Sequence, residues 1–493
     1  MIRVPLAALG RFPAGRPGAA GRHLSTMNDD TAPAPDPAPL ARAIEISRAV
    51  RDAGGRAFVV GGWVRDRLLG LESKDLDLEV YGLESSALRA ILERFGRVDA
   101  VGEAFTVYKV GDIDVALPRR ESKVGRGHRG FEVTGDPWMT VEEAGRRRDF
   151  TINTIAWDPL SAGYLDPFDG RADLDRRRLR VVDPTTFVDD SLRVLRGVQL
   201  AARFDLTADE PTVALCRSIA LDDLPAERIW GEVEKLLLLA RRPSIGFELA
   251  RAMGVVSRLF PEMDALIGCE QELDWHPEGD VWVHTLLVID QTRGMIDDLP
   301  RGKQLAMMLG AVCHDFGKPS TTAVIDGRIR SYNHEEAGVE PALALLDRLK
   351  VNTIDAYDVR RQVRGLVAHH LKPGMWYKVR DQIGDGAFRR LAEKVDMELL
   401  ARLARADCLG RPGPFDCSAM DWFLDRARAL GVEHRPPAPI LLGRHVLAMG
   451  LAPGPAVGRI VKAVYERQLD GAVTDLDSAL AEARACIAAG SGT

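Results

Sequence analysis

No Cys-x-x-Cys pair, no apolar run near the ~18 residues of a membrane-spanning helix and no excess of positive charge occur in this 493-residue chain. Its six cysteines, at 216, 269, 313, 408, 417 and 486, are widely spaced. That spacing argues against a structural zinc site and a disulfide framework, and it fits a reducing compartment. The net charge of -6 gives no global nucleic-acid footprint. RNA contact therefore has to rest on local clusters such as Arg146-Arg147-Arg148 and Arg176-Arg177-Arg178. Residues 1–26 carry Arg3, Arg11, Arg16 and Arg22 and no acid, the composition of an organelle transit peptide, with a start upstream of the true Met27 as the equal alternative. The expected location is cytoplasmic, or mitochondrial or plastid if that segment is a working transit peptide.

What is present suits two to four domains, at roughly 100–200 residues each. The Pro/Ala/Asp segment Thr31 to Pro39 reads as disordered, and Ala41 to Ala53 is helical in pattern. Ala57 to Val60 reads as a buried strand, Gly61-Gly62 as a tight turn, and Trp63 to Leu69 as a helix whose N-terminus suits phosphate. In the next strand Asp75, Asp77 and Glu79 alternate with Leu76, Leu78 and Val80, which puts Asp75 and Asp77 on one face. Two carboxylates held that close repel unless a divalent cation neutralises them, and Mg2+ with substrate phosphates is the usual occupant. The first functional reading is metal-dependent nucleotidyl transfer. A second alternating run, Gly111 to Ala116, offers Asp112 or Asp114 as a third carboxylate, with Asp114 favoured. Gly125 to Gly135 reads as a mobile loop.

Arg147-Arg148-Asp149-Phe150-Thr151-Ile152-Asn153 places guanidinium groups where they could clamp a triphosphate. A solvated face is the plain alternative for such an arginine run. From Phe187 to about Leu259 the pattern is helical. It opens on Asp189-Asp190-Ser191-Leu192-Arg193, in which Asp190 and Arg193 are helix neighbours at i,i+3. Such a pair is either an ordinary surface salt bridge or a reader of bases. A carboxylate and a guanidinium together match the exocyclic amine and ring acceptor that cytosine and adenine share.

Gly-Gly-x-Val-Arg-Asp, Asp-x-Asp, Arg-Arg-Asp-Phe-Thr-Ile-Asn, Leu-x-Asp-Pro-Phe-Asp-Gly, Asp-Asp-x-x-Arg and Glu227-Arg228-Ile229-Trp230-Gly231-Glu232 occur in that order. Over residues 55 to 240 the chain resembles the class II tRNA nucleotidyltransferase and bacterial poly(A) polymerase family, whose members extend RNA 3′ ends. The resemblance makes Asp75 and Asp77 the Mg2+ ligands with Asp114 assisting. It gives the triphosphate to Gly61, Gly62 and Arg65, and the nucleotide to Arg148, Asn153 and Arg196. Asp190 and Arg193 become the pair that templates the base. The family's glutamate before that aspartate is Asp189 here.

A second constellation follows Pro261. His284, His314-Asp315, His334, His369-His370 and Asp407 lie on or beside helical runs, and such a set suits one or two divalent metals that activate water against a phosphate ester. For His128, His434 and His445 a satisfied core or capping role is the plainer reading. Residues 280 to 410 resemble the HD phosphohydrolase superfamily. That resemblance makes His284, His314, Asp315 and Asp407 ligands of Mg2+ or a transition metal, with His334 and either His369 or His370 as extra ligands. A head of the first kind before an HD domain resembles one bacterial branch, in which the HD domain acts on 2′,3′-cyclic, 2′- or 3′-phosphate ends.

The expected architecture is an α/β nucleotidyltransferase head (41–185), an all-α neck (186–260), an HD body (261–425) and a helical tail (426–493), after an N-terminal segment (1–40). The expected function is CCA addition to tRNA from CTP and ATP. The alternatives are poly(A) polymerase, a CC- or A-adding enzyme, or a metal-dependent phosphohydrolase with an RNA-binding head. No membrane partner is expected. The Gly450 to Gly458 turn and the helical run after it read equally as an RNA-facing element or a cap on the HD body.

Overall fold

The computed structural model describes residues 37–73, 75–101, 107–123 and 131–490. Residues 1–26, most of the Thr31 to Pro39 segment, residues 125–130 of the glycine-rich stretch, and His128 lie outside them. The chain divides into two compact units, Met1–Leu259 and Phe260–Thr493. Among the described residues no helix is long and apolar enough to cross a membrane.

The first unit is built on a sheet that has, among the described residues, seven strands. In chain order these are β1 (Arg56–Val60), β2 (Leu76–Tyr81), β3 (Asp99–Val101), β4 (Val107–Val110), β5 (Ile113–Ala116), and, after a separate hairpin of β6 (Arg119–Lys123) and β7 (Phe131–Gly135), β8 (Ala156–Trp157) and β9 (Tyr164–Leu165). They lie side by side in the order β3-β4-β5-β2-β1-β8-β9. β2 and β5 run parallel, with Asp77 opposite Asp114; β1 runs antiparallel to β2, with Val60 opposite Asp77. Period two decides the faces of β2. Leu76, Leu78 and Val80 are buried, which turns Asp77 and Glu79 to the other face. Pro37–Asp52, a helix beginning at Pro37 and so ahead of the expected Ala41, packs against β1.

The β6–β7 hairpin pairs Arg119–Lys123 with Phe131–Gly135, so the last five residues of the supposed mobile loop form a strand. Thr140 and Glu143 make a reciprocal capping box that starts the Val141–Arg146 helix and delivers Arg147 and Arg148. Asp166 accepts from the Gly170 and Arg171 amides at 2.7 and 2.9 Å, which fixes the turn-rich connector. Helices Leu192–Phe204, Ala226–Leu239 and Pro243–Ala252 follow. The neck is not purely helical, because Thr207–Ala208 pairs with Arg178–Leu179.

The second unit is largely helical, centred on Val281–Arg293, Arg301–Cys313, Val359–His369 and Met397–Gly410. It also carries two short hairpins, Thr322–Ser331 and Thr353–Asp358. Asp326-Gly327, with both residues at positive φ, turns the first of them. Cys408 and Cys417 form a disulfide, a single bridge that the wide cysteine spacing did not suggest. The chain folds back after the Met397–Gly410 helix, and the two Cα atoms are 6.0 Å apart. In the tail, Ile460 and Val464 bury themselves with Leu441, Val446 and Val473. Arg390 ties the Pro455–Leu469 helix to the body through Glu466 and, at the residue after its end, Asp470. That helix therefore packs on the body.

Candidate active sites

In the first unit a cavity of about 1020 Å³ opens over the carboxylate face of β2 and β5. Gly61, at φ +77°, turns the chain from β1 into the Gly62–Leu68 helix, a conformation that a side chain rarely tolerates. A Cβ there would lie 3.5 Å from Asp77 Oδ2 and 3.7 Å from Arg148 Nη1. Asp77 and Asp114 are register partners, and burial, the Asp114 charge and weaker contributions from Asp75 and Glu79 hold the Asp77 carboxyl above its usual range, against Arg148. Arg148 and Lys109, whose ammonium lies 3.7 Å from Asp114, do not offset the raised Asp77 carboxyl, and the pair's hard oxygen donors fit a divalent cation. Asp75 lines the same cavity, but it stands one residue before β2 and is exposed, at the rim. Asp112 lies in the turn before β5.

The expected nucleotide-binding residues all line this cavity, and several are bonded to one another. Buried Arg65 pairs with Asp66 at 2.6 Å, donates to Asn153 Oδ1 at 2.7 Å and stacks 4.2 Å over Phe204. Asn153 donates to Asp149 at 2.9 Å, and Asp149 pairs with Arg196 at 2.9 Å. Arg148 reaches the Asn153 carbonyl at 3.2 Å and Glu79 at 3.3 Å. Asp190 stands just ahead of Ser191, the N-cap of Leu192–Phe204, so it precedes the helix on which it was expected. Its ion pair is with Arg228, at 3.1 Å. Arg193 donates to the Thr186 and Arg147 carbonyls at 2.6 and 2.8 Å. Glu79 and Arg228 are the residues that sequence reasoning passed over, although both lie inside runs it had singled out.

Among the described residues, the second unit has four groups whose ligand atoms all lie within 4.8 Å of one another, and two of them are the triads His284, His314 and Asp407, and Asp315, His334 and His370. They adjoin, with His314 Nε2 3.3 Å from Asp315 Oδ2. Gly317 supports this arrangement, since a Cβ there would collide with the His334 carbonyl. The rings of His314, His334 and His370 each turn Nδ1 to the carbonyl three residues earlier, at 2.8, 2.7 and 2.8 Å. Nδ1 then carries the proton and Nε2 the lone pair, the arrangement of a metal-binding imidazole. His334 and His370 bring their Nε2 atoms 3.3 Å apart, and the His314 Nε2 is buried without a hydrogen-bond partner. Both observations, with the mixed nitrogen and oxygen donors, fit divalent metal. Burial and the neighbouring His334 and His314 rings push His370 down to about 3, so its lone pair is free at neutral pH. Burial would raise Asp315, but the His314 ring and the Lys318 ammonium, 2.7 Å away, hold its carboxyl well below the usual range.

His369 joins neither triad; of the two adjacent histidines, His370 is the one that reaches the cluster. Glu278, which the sequence did not single out as a ligand partner, sits 2.6 Å from His284 Nδ1 and 2.9 Å from His276 Nδ1. A further group, Asp396, Glu398 and His434, already has cations, Lys303 at 2.8 Å and Arg402 at 2.6 Å. His445 accepts from the Leu442 amide, a capping role.

A mixed sheet carrying facing carboxylates, joined in one chain to a helical domain carrying a histidine–aspartate metal cluster, defines a nucleotidyltransferase-type head with an HD domain. The poly A polymerase head domain family matches residues 57–180, the probable RNA and SrmB-binding site of polymerase A residues 207–267, and the HD domain residues 281–411. The chain is 38% identical over 367 residues to the multifunctional CCA protein of Methylobacillus flagellatus, covering 73% of this chain and 81% of that one. It is 36% identical over 388 residues to that of Stenotrophomonas maltophilia, covering 77% and 87%. The fold is similar to that of the Thermotoga maritima CCA-adding enzyme complexed with tRNA, at a TM-score of 0.55 and 20% identity, over 92% of this chain and 96% of that one. The chain belongs to the multifunctional CCA protein family.

Proposed function

We propose that this chain adds CCA to tRNA 3′ ends from CTP and ATP without a nucleic-acid template, and that its HD domain hydrolyses 2′,3′-cyclic and 2′-phosphate RNA ends. The observation that carries the first activity is Asp77 opposite Asp114 in one cavity with Arg148, Asp190 and Arg193. The names of the relatives, multifunctional CCA proteins and CCA-adding enzymes, support the same reading.

Asp77 and Asp114, with Asp75 at the rim, would hold Mg2+, which when bound favours deprotonation of the RNA 3′-hydroxyl and neutralises charge on the departing pyrophosphate. The chain's own residues position the reactants. Gly61 and Gly62 leave backbone room for the triphosphate, and Arg148, steered by Glu79 and the Asn153 carbonyl, faces its charge. The Arg65–Asn153–Asp149–Arg196 network fixes the turn that carries Arg148. Asp190, held by Arg228, accepts from the base's exocyclic amine, while Arg193 donates to its ring acceptor. The 3′-hydroxyl attacks the α-phosphate, a phosphodiester forms, and pyrophosphate leaves.

In the HD domain, His284, His314, Asp315, His334, His370 and Asp407 would hold one or two divalent ions, and the nitrogen-rich set favours a transition metal over Mg2+. Such an ion supplies activated water against a phosphate ester. Glu278 orients His284 from behind. Stripping the metal with chelator and titrating Mn2+ back should therefore show Glu278→Gln binding about 10–100-fold more weakly than wild type. Equal affinity would remove Glu278 from that role.

The direct test of the transferase reading is sequencing of the 3′ ends made on tRNA lacking CCA, with ATP alone and with ATP plus CTP. CCA ends are expected from the mixture; long A tracts from ATP alone would mean a poly(A) polymerase. For the base-reading pair, Asp190→Ala is expected to lower discrimination of CTP and ATP against GTP and UTP by about tenfold or more, since an amine-accepting contact is lost. Unchanged selectivity in a folded variant would overturn the assignment.

A further inference from the structure

Large aromatic side chains exposed beside a catalytic cluster are a costly use of surface unless something covers them. Two such residues stand one and two residues from histidines of the HD domain that touch or join its cluster. Trp275 is 51% exposed and Tyr332 61%. Trp275 is bonded to His276, whose ring lies 4.7 Å from that of His284. Tyr332 stands two residues before His334, whose Nδ1 already bonds the Ser331 carbonyl. The segments bearing them are tied together: Glu272 accepts from the Ile329 amide at 3.0 Å, and Arg328 lies 3.6 Å from Asp274. The two aromatics therefore stand on adjoining segments that make one rim. The Lys378 ammonium stands 5.9 Å from the Trp275 ring centroid, which puts a cation beside a flat apolar face.

We propose that Trp275 and Tyr332 form a stacking platform for the last bases of a single-stranded RNA 3′ end, with Lys378 facing its phosphates, so that the HD site selects RNA ends over phosphate esters in general. This deepens the hydrolase reading and rests on it. A π-face beside a positive charge is the combination that holds single-stranded nucleic acid without reading sequence. The terminal phosphate of an end stacked there is carried toward the His284–Asp407 side of the cluster. Continuity of the rim with the metal cluster favours an RNA end over a second copy of the chain as the occupant.

The test compares two RNAs ending in 2′,3′-cyclic phosphate, one intact and one abasic at its last two nucleotides, with wild-type protein and the variants Trp275→Ala and Tyr332→Ala. Wild type should show a lower KM for the intact RNA. Each variant should shrink that preference by about tenfold, in KM rather than kcat. An equal loss on both RNAs, or an unchanged preference, would overturn the platform. So would a variant that only alters the oligomeric state in sedimentation, which would make the rim a contact between copies. Ultraviolet crosslinking of a terminal 4-thiouridine to wild type decides the platform without turnover: adducts on Trp275 or Tyr332 are expected, and their absence would overturn it. If wild type hydrolyses neither RNA, the hydrolase reading fails while the crosslink still decides the platform.

Discussion

Replacing Asp77 with asparagine is expected to lower CMP and AMP incorporation into tRNA lacking CCA by about 10³-fold or more, roughly 4 kcal/mol of transition-state stabilisation. The substitution keeps the shape of the side chain and removes its charge, at the point where β2 faces β5 and the two carboxylates adjoin. Folding should not suffer. Burial and the Asp114 charge disfavour ionised Asp77 in the native state, so the neutral amide relieves repulsion in metal-free protein. Metal-free Asp77→Asn should accordingly melt no lower than metal-free wild type. Mg2+ should raise the melting temperature of wild type and do so far less for the variant, because only a native-state ligand stabilises by mass action. Hydrolysis of a 2′,3′-cyclic phosphate should persist. Incorporation near the wild-type rate would end the assignment of Asp77.

How much of this site could be read beforehand depends on the range of the interaction. The faces of β2 were legible because period two is local: Leu76, Leu78 and Val80 are buried as their alternation requires. Asp114 was separable from Asp112 only as a preference, and the parallel register opposite Asp77 gives that preference its physical reason. Asp75 stands one residue ahead of the strand but lines the same cavity, an offset that alternation cannot see. The partners of the functional groups were the hidden part. Arg228 reaches Asp190 across 38 residues, and Arg148 reaches Glu79 across 69; no periodicity encodes such pairs. In the second unit the order of histidines and aspartates was visible, whereas the choice of His370 over His369 follows from where the Val359–His369 helix ends. Asp326-Gly327 between short β-prone runs was a readable hairpin signal that went unused. The Cys408–Cys417 pairing was not readable, because a sequence separation of nine does not say whether a chain folds back.

Replacing His314 with glutamine is expected to abolish hydrolysis of 2′,3′-cyclic phosphate ends, by about 10³-fold or more, and to leave CCA incorporation within about twofold of wild type. His314 is fully buried at the C-terminal end of the Arg301–Cys313 helix. Its Nδ1 is held by the Ala311 carbonyl, and its Nε2 has no hydrogen-bond partner. An imidazole so placed contributes little to packing that glutamine cannot replace in part, but its lone pair has no substitute as a metal donor. Alanine would be a poorer test, since it opens a cavity beside the buried Asp315 carboxylate and costs stability for reasons unrelated to metal. Mn2+ titration of chelator-stripped protein should show the glutamine variant losing affinity, which separates a ligand from a mere packing residue. Retained melting of the second unit then serves as the folding control, and retained incorporation shows that the first unit's site is untouched. Loss of both activities in a variant with wild-type melting would show that the two metal sites do not work independently. Retained hydrolysis with retained Mn2+ affinity would remove His314 from the metal cluster altogether.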